Sequence, residues 1–528
     1  MTSDMQDALE MGKKSAAGSF HLFMGVASST VIMAVAAIIL ARLMTPEEYG
    51  LYSVAFIPSY IAVLFRDWGV NSAIIKYVSR YRVENRRENV YEIIVSGLIF
   101  EAAAGLVLSA ILFLLSNFVA STILCRPQAS PLIMTASVTV FAGALLTASQ
   151  SSFIGFERME LNSLTSICQA LVKTVASPVL VFIGFSAFGA TLGYTLSYLV
   201  AAIVGLAALY LIVFRELKAE NTGKISVLQT LKRMLRYGVP LSLASIISGF
   251  AAQFYAFLMA IHCADAMIGN YQIATQFATL LTFFTIPIST VMFPVFSKIN
   301  PEKDRELLNT VFVSSVKYTA ALLVPATMAI MVLSKPMIST LYGEKWTYAP
   351  LFLTLYVINN FFVLFGGLIL GSLLTGLGET ETQLKLSVIT LALGIPLAFT
   401  LIPSMGIFGL ILTGTVAGIS STSIGLYWVW KHYKTKADIK SSAKILLASL
   451  TATATAFLIT NIIVFAEWIE LAVGGLAFLI AYLAVAPTIG AINQTDINNL
   501  KTMFSGLGAV SKLLNIPLAT MEKLANKL

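Results

Sequence analysis

Three ionisable side chains stand in stretches that are otherwise apolar for twenty residues or so: Glu101, Lys173 and Lys317. At the centre of a bilayer such a charge costs about 2.5 to 3.5 kcal/mol on insertion scales unless it meets water or a partner. The two lysines are of the type that neutralises an anionic phosphate headgroup, and the glutamate is of the type that takes up and releases a coupling ion. The alternative for each is a satisfied buried pair. Arg42 and Arg66, near the ends of the first two apolar stretches, join the candidate headgroup set, although basic residues at such ends also serve as interfacial anchors.

Other chemistries lack their residues. His21, His262 and His432 are widely separated, with no HExxH and no arrangement for a His-centred triad, and there is no Walker A loop. Cys125, Cys168 and Cys263 form no metal-binding spacing, so neither a metal nor a cofactor is expected. Cys125 and Cys263 both fall near the same expected face, which leaves a disulfide between them open. No expected outer loop exceeds roughly twenty residues, too little to house the catalytic Arg or His residues of a membrane glycan polymerase or ligase.

The elements that must carry these residues are membrane helices. With 57% hydrophobic residues, 11% charged residues and a mean hydropathy of +0.84, the 528-residue chain is far more apolar than a soluble domain. Fourteen stretches are long enough to cross a bilayer as helices, centred near residues 31, 58, 103, 142, 172, 201, 250, 283, 321, 362, 392, 418, 454 and 477. The expected class is an all-α polytopic membrane protein.

The chain also repeats itself. Gly50-Leu-Tyr52 recurs as Gly269-Asn-Tyr271, Phe188-Gly189 as Phe408-Gly409, Pro178 as Pro396, and Gly155 as Gly376, all at offsets of 218 to 221. Two parallel six-helix repeats followed by two C-terminal helices account for this pattern. The same offset puts Lys317 opposite position 97, four residues and therefore one helix face from Glu101.

Lys and Arg concentrate in alternate loops, which places both termini in the cytoplasm and makes the net charge of +8 a topology signal rather than a nucleic-acid footprint. The expected organisation is a cytoplasmic N-terminus over 1–19, an N-lobe over 20–214, a linker over 215–235, a C-lobe over 236–432, two further helices over 433–487 and an amphipathic cytoplasmic tail over 488–528. Pro287 and Pro294 suggest a bent helix beside a lumen.

The stretch Leu40-Ala-Arg42-Leu-Met-Thr-Pro46-Glu47-Glu48-Tyr49-Gly50-Leu-Tyr52 resembles the N-terminal signature of polysaccharide flippases, members of the multidrug/oligosaccharidyl-lipid/polysaccharide exporter superfamily. Asp67-Trp-Gly69-Val-Asn-Ser-Ala and Gly376-Leu-Gly378-Glu379-Thr continue the likeness. The resemblance implies that a lipid-linked oligosaccharide on a polyprenyl phosphate or pyrophosphate carrier is moved from the cytoplasmic to the outer leaflet. It implies alternating access of two lobes around a cationic cavity, which Lys173, Lys317, Arg42 and Arg66 would line. Glu101 departs from a purely cationic lumen and suits ion coupling. The expected setting is the cell membrane, with membrane lipids and glycan synthesis or assembly proteins as partners and no nucleic acid. An ion-coupled small-molecule or multidrug antiporter of the same superfamily is the alternative.

Overall fold

A computed structural model describes residues 25–214, 226–281, 292–462 and 466–505, together with 519 and 522. Helices, with short π and 3-10 segments, are the only regular elements among them. Nine are long and apolar enough to cross a membrane, or ten if the pair Ala349–Phe365 and Gly367–Gly376, bent by 54°, counts as one span. The protein is an all-α, multi-pass membrane protein.

The chain forms two compact units, residues 1–269 and 270–528. The first holds α1 (Gly25–Leu43), α2 (Pro46–Ala55), α3 (Ile57–Leu64), α4 (Val70–Val83), α5 (Arg87–Phe118), α6 (Ser130–Gly155), α7 (Met159–Leu180), α8 (Ser186–Leu209) and α9 (Val227–His262). It also holds the first turn of α10 (Asp265–Ala278). One apolar stretch, 159–212, is two passes: the backbone turns at Gly184 (φ 108°) and Ser186 (φ 49°), and α7 packs back along α8.

The second apolar stretch, expected as one helix centred near 58, is instead broken into α2, α3 and α4. Thr45 opens it with a capping box: the Glu48 amide donates to the Thr45 hydroxyl at 3.2 Å, and the Thr45 amide donates to Glu48 Oε2 at 2.8 Å. Pro46 at the first helical position completes the start, so Thr-Pro-Glu-Glu is a helix-initiation sequence. Between α3 and α4 the chain turns through Trp68 (φ 47°) and Gly69 (φ 77°). A β-carbon on Gly69 would also overlap the backbone of Gly238 on α9, so two separate constraints demand glycine there. The Gly69–Gly238 approach and Met234, buried among Val70, Ile74 and Ile94, seat α9 within the first unit although the repeat makes it the head of the second copy.

The second unit contains α11 (Arg305–Val332), α12 (Ser334–Tyr342), α13 (Ala349–Val357), α14 (Gly367–Gly376), α15 (Thr380–Met405), α16 (Ile407–Tyr433), α17 (Ile439–Ile462), α18 (Glu467–Thr488) and α19 (Gln494–Ser505). Its core includes Ala320, Val324, Ala448, Ala452, Phe478 and Tyr482, where α11, α17 and α18 meet. The centre of the eighth expected stretch, near 283, and Pro287 fall outside the described residues, as do 215–225 of the expected linker.

Cys125 is exposed, Cys263 is buried, and both are free thiols, so the disulfide left open by the sequence is not formed.

Candidate functional site

The break between α3 and α4 builds the site. By leaving helical geometry after Leu64, the chain directs Arg66, Asp67 and Asn71 into a cavity of about 600 Å³ within the first unit. That volume falls inside the range of about 300 to 1,000 Å³ that small-molecule sites occupy. The walls come from α6 (Thr147, Gln150, Ser151), α7 (Asn162, Ser166) and α9 (Leu241, Ser242, Ile246). Their hydroxyl and amide groups recur at helical spacing, 147 to 151 and 162 to 166, and so share faces.

Arg66 is 4% exposed and Glu101, on α5, is fully buried. The Arg66 Nε lies 3.1 Å from Glu101 Oε2. The rest of the guanidinium is also engaged: Nη2 donates to the Thr147 hydroxyl at 2.8 Å and Nη1 to the Val140 carbonyl at 3.3 Å. Gly143 makes the room, since a β-carbon there would stand 3.2 Å from Arg66 Nη1. Asn71 Nδ2 donates to Glu101 Oε1 at 2.9 Å, and its Oδ1 accepts from the Ser151 hydroxyl at 3.3 Å. Asp67 Oδ1 accepts the Asn71 amide at 2.9 Å and lies within electrostatic reach of Glu101. One guanidinium thus pairs with Glu101, and a second carboxylate, Asp67, stands near Glu101 beside a polar cavity. A buried pair of this kind is held by mutual neutralisation, and removing one member strands the other.

Beyond the cavity, α7 carries one more charged residue on the same face. Asn162, Ser166 and Lys173 lie four and then seven residues apart on one helix face. The Lys173 ammonium sits 4.5 Å from the centre of the Tyr194 ring, with no carboxylate at ion-pair distance among the described residues. Tyr194 contacts Phe56 and Tyr198, and the two tyrosine hydroxyls are 3.4 Å apart. Tyr198 also flanks Gly143 beside Arg66, which links the two cations through aromatic side chains. A cation over an aromatic face gains about 2 kcal/mol or more when desolvated.

The profile of the polysaccharide biosynthesis protein family matches residues 39–350, which include the helix-initiation sequence and every residue named in the cavity. The chain belongs to that family. Among its relatives, the lipopolysaccharide biosynthesis protein WzxC of Escherichia coli (strain K12) is 24% identical over 395 residues, covering 74% of this chain and 73% of WzxC. The probable low-salt glycan biosynthesis flippase Agl15 of Haloferax volcanii is 19% identical over 260 residues, 48% of this chain and 55% of Agl15. Among solved structures, the inward closed conformation of the lipid II flippase MurJ shares the fold with a TM-score of 0.69 at 17% identity, covering 87% of this chain and 97% of MurJ. This polysaccharide biosynthesis family member is a multi-pass membrane protein that shares its fold with a solved flippase.

Of the five residues that the sequence singles out in this family member, the structure brings Arg66 and Glu101 together and places Lys173 about two turns beyond Ser166 on α7, outside the cavity lining. Lys317 belongs to the second unit, where its ammonium meets Asp496 of α19 at 2.5 Å, and the neighbouring Tyr318 hydroxyl accepts from Asn499 at 2.8 Å. Position 97, its counterpart in the first copy, is a glycine packed on Ile74 and Met234 rather than part of the charged group. Arg42 is exposed at the end of α1. Asn71, Thr147 and Ser151 are the site residues that sequence reasoning passed over, and Asp496, the partner of Lys317 in the second unit, was passed over as well. The i, i+4 pairs Asp67/Asn71 and Thr147/Ser151 within apolar stretches were the available signal.

Proposed function

We propose that this protein is a flippase that moves a lipid-linked oligosaccharide, carried on polyprenyl phosphate or pyrophosphate, from the cytoplasmic to the outer leaflet of the cell membrane by alternating access of its two repeats. The observation that carries the reading is the cavity in the first unit, whose walls include hydroxyl and amide groups and whose buried guanidinium is paired with a carboxylate. Sugar hydroxyls need such hydrogen-bonding partners to leave water, whereas a prenyl tail is stable in hydrocarbon. Kinship with WzxC and Agl15 supports a glycan-linked cargo.

In this reading the headgroup phosphate competes with Glu101 for Arg66. Protonation of Glu101 frees the guanidinium and couples the cycle to a proton gradient, and loss of that proton restores the pair and expels the phosphate. Lys173, with no carboxylate at ion-pair distance among the described residues, is the second cation, further along α7. Lys317 contributes once it leaves Asp496, and Arg42 attracts the headgroup at the membrane surface. Depletion of the protein is expected to accumulate lipid-linked glycan on the inner leaflet, and an Arg66→Gln variant is expected not to relieve it. Unchanged leaflet distribution after depletion would sink the reading.

One observation favours ion-coupled antiport of a small cation as a second reading: a second carboxylate, Asp67, lies within electrostatic reach of Glu101 beside the cavity. Under that reading depletion leaves the glycan distribution unchanged and raises sensitivity to cationic compounds.

A further inference from the structure

Trp68 stands at the break between α3 and α4 with its backbone in left-handed geometry (φ 47°), a conformation that residues with a bulky side chain rarely adopt. Such an outlier persists only where its surroundings over-determine it. Here they do: the backbone of Trp68 and Gly69 presses on Gly238 of α9, where a β-carbon would stand 2.7 Å from the Trp68 carbonyl oxygen and 2.5 Å from that of Gly69. The indole itself is not packed away. It is 38% exposed, forms part of the cavity wall, and makes no ring contact or hydrogen bond among the described residues. By contrast, Trp346 is buried and donates its indole N–H to the Tyr342 carbonyl at 3.2 Å, Trp428 stacks on His432, and Trp430 lies against Tyr427.

The same cavity holds polar groups with hydrogen-bonding capacity to spare. Asn162 of α7 is 9% exposed and lines the cavity, yet its carboxamide has no partner among the described residues. A buried amide normally finds a partner, so one left free in a cavity wall points to the ligand that fills it. Gln150 of α6 donates to the Thr165 hydroxyl at 3.1 Å and the Ser166 hydroxyl at 3.2 Å, and its side-chain oxygen remains as an acceptor. Ser72, in the first turn of α4, adds an exposed hydroxyl to the lining.

We infer that Trp68 is the platform on which a neutral pyranose ring of the cargo glycan stacks, with Asn162, Gln150 and Ser72 hydrogen-bonding its hydroxyl edge. The inference rests on the glycan-lipid reading above and adds to it the residue that recognises sugar. A pyranose carries partly positive C–H groups on its face and hydroxyls around its rim. The electron-rich face of an indole attracts the first, and the amides replace the water that the second give up. A phosphate gains nothing from that face, whose quadrupole repels an anion. A small cation would gain from the indole but would stand beside the Arg66 guanidinium, two residues away. Because the backbone at Trp68 is pinned, the ring is held ready for its ligand, which limits the ordering cost of binding.

The test uses the full-length protein purified in detergent, with binding measured by calorimetry. The probes are bare farnesyl diphosphate and farnesyl diphosphates that each carry a single glucose, galactose, mannose or N-acetylglucosamine. In the parent protein at least one sugar should raise affinity about tenfold over the bare diphosphate, a difference of about 1.4 kcal/mol. Trp68→Leu should bring that ratio close to unity, whereas Trp68→Phe, which keeps an aromatic face, should hold it within about threefold of the parent value. Ser72→Ala, at an exposed position, should lower the ratio about threefold, and it decides alone if Trp68→Leu does not fold. The inference fails if Trp68→Leu leaves the ratio unchanged or if Trp68→Phe loses it equally. It fails as well if both affinities fall together with their ratio kept, which would mark a structural role. A parent protein that binds every probe alike overturns the inference and leaves the flippase reading standing. Trp68-dependent binding of tetramethylammonium, without a response to sugar, also overturns it. Absence of binding by any diphosphate would overturn the function proposed above, and this inference with it.

Discussion

Arg66 and Glu101 come from different elements, the α3–α4 break and α5, and meet at 3.1 Å with the arginine 4% exposed and the glutamate fully buried. Breaking such a pair from one side costs about 3 to 5 kcal/mol, because the remaining charge is left without a counterpart. Arg66→Gln should therefore lower the melting temperature more than Glu101→Gln, since it leaves the fully buried Glu101, with Asp67 nearby, without its cation. The double variant Arg66→Gln/Glu101→Gln should recover much of the stability and none of the transport. Thermal melting in detergent and a leaflet-resolved flipping assay separate the two quantities. Additive losses in the double variant would show that the residues do not act as a pair.

Lys173 presents the opposite case. Its ammonium has an aromatic ring at 4.5 Å and no carboxylate at ion-pair distance among the described residues, so replacing it strands no charge. Lys173→Met should leave stability unchanged or raise it, while transport falls at least about tenfold, corresponding to about 1.4 kcal/mol. Lys173→Arg should retain a substantial part of the activity. Equal transport by Lys173→Met and the parent protein would remove this residue from the headgroup path.

How much of this could be read from the chain turns on what kind of signal each residue gives. Helical class and repeat follow from apolar runs and fixed offsets, which survive any local detail. Glu101 and Lys173 stand out because charge is rare in such runs. The partner of Glu101 was not legible, because Arg66 looks like an interfacial anchor until the turn at Trp68 and Gly69 carries it inward. That turn needs only one glycine and a non-glycine residue at positive φ, and periodicity is blind to both. Lys317 drew notice for the same reason as Lys173, yet its counter-charge comes from Asp496, 179 residues away, and no local pattern announces a pairing over that distance.

The Lys317–Asp496 pair should act as the clasp that holds α19 to α11. Asp496 also accepts the Asn493 amide at 2.8 Å, and Ile497 beside it is fully buried, so the contact is built rather than incidental. Asp496→Asn should loosen the tail and speed its cleavage by added protease several-fold. The swapped variant Lys317→Asp/Asp496→Lys should restore part of the protection, with a coupling energy of about 0.5 to 3 kcal/mol in a double-mutant cycle. Cleavage rates that are the same in all four proteins would show the tail to be held by apolar packing alone.

Thr45 tests whether the family's helix-initiation sequence has a mechanical role. Its hydroxyl accepts the Glu48 amide, and Glu48 returns the bond to the Thr45 amide while its other oxygen accepts from Ser186 at 2.5 Å, at the start of α8. Thr45→Ala should cost about 1 kcal/mol, the usual loss for an N-cap. Glu48→Gln keeps the capping geometry and weakens the bond to Ser186, so its cost should be smaller. Thermal melting of the three proteins checks the order, and equal melting temperatures for Thr45→Ala and the parent protein would show that packing alone holds the first turn of α2.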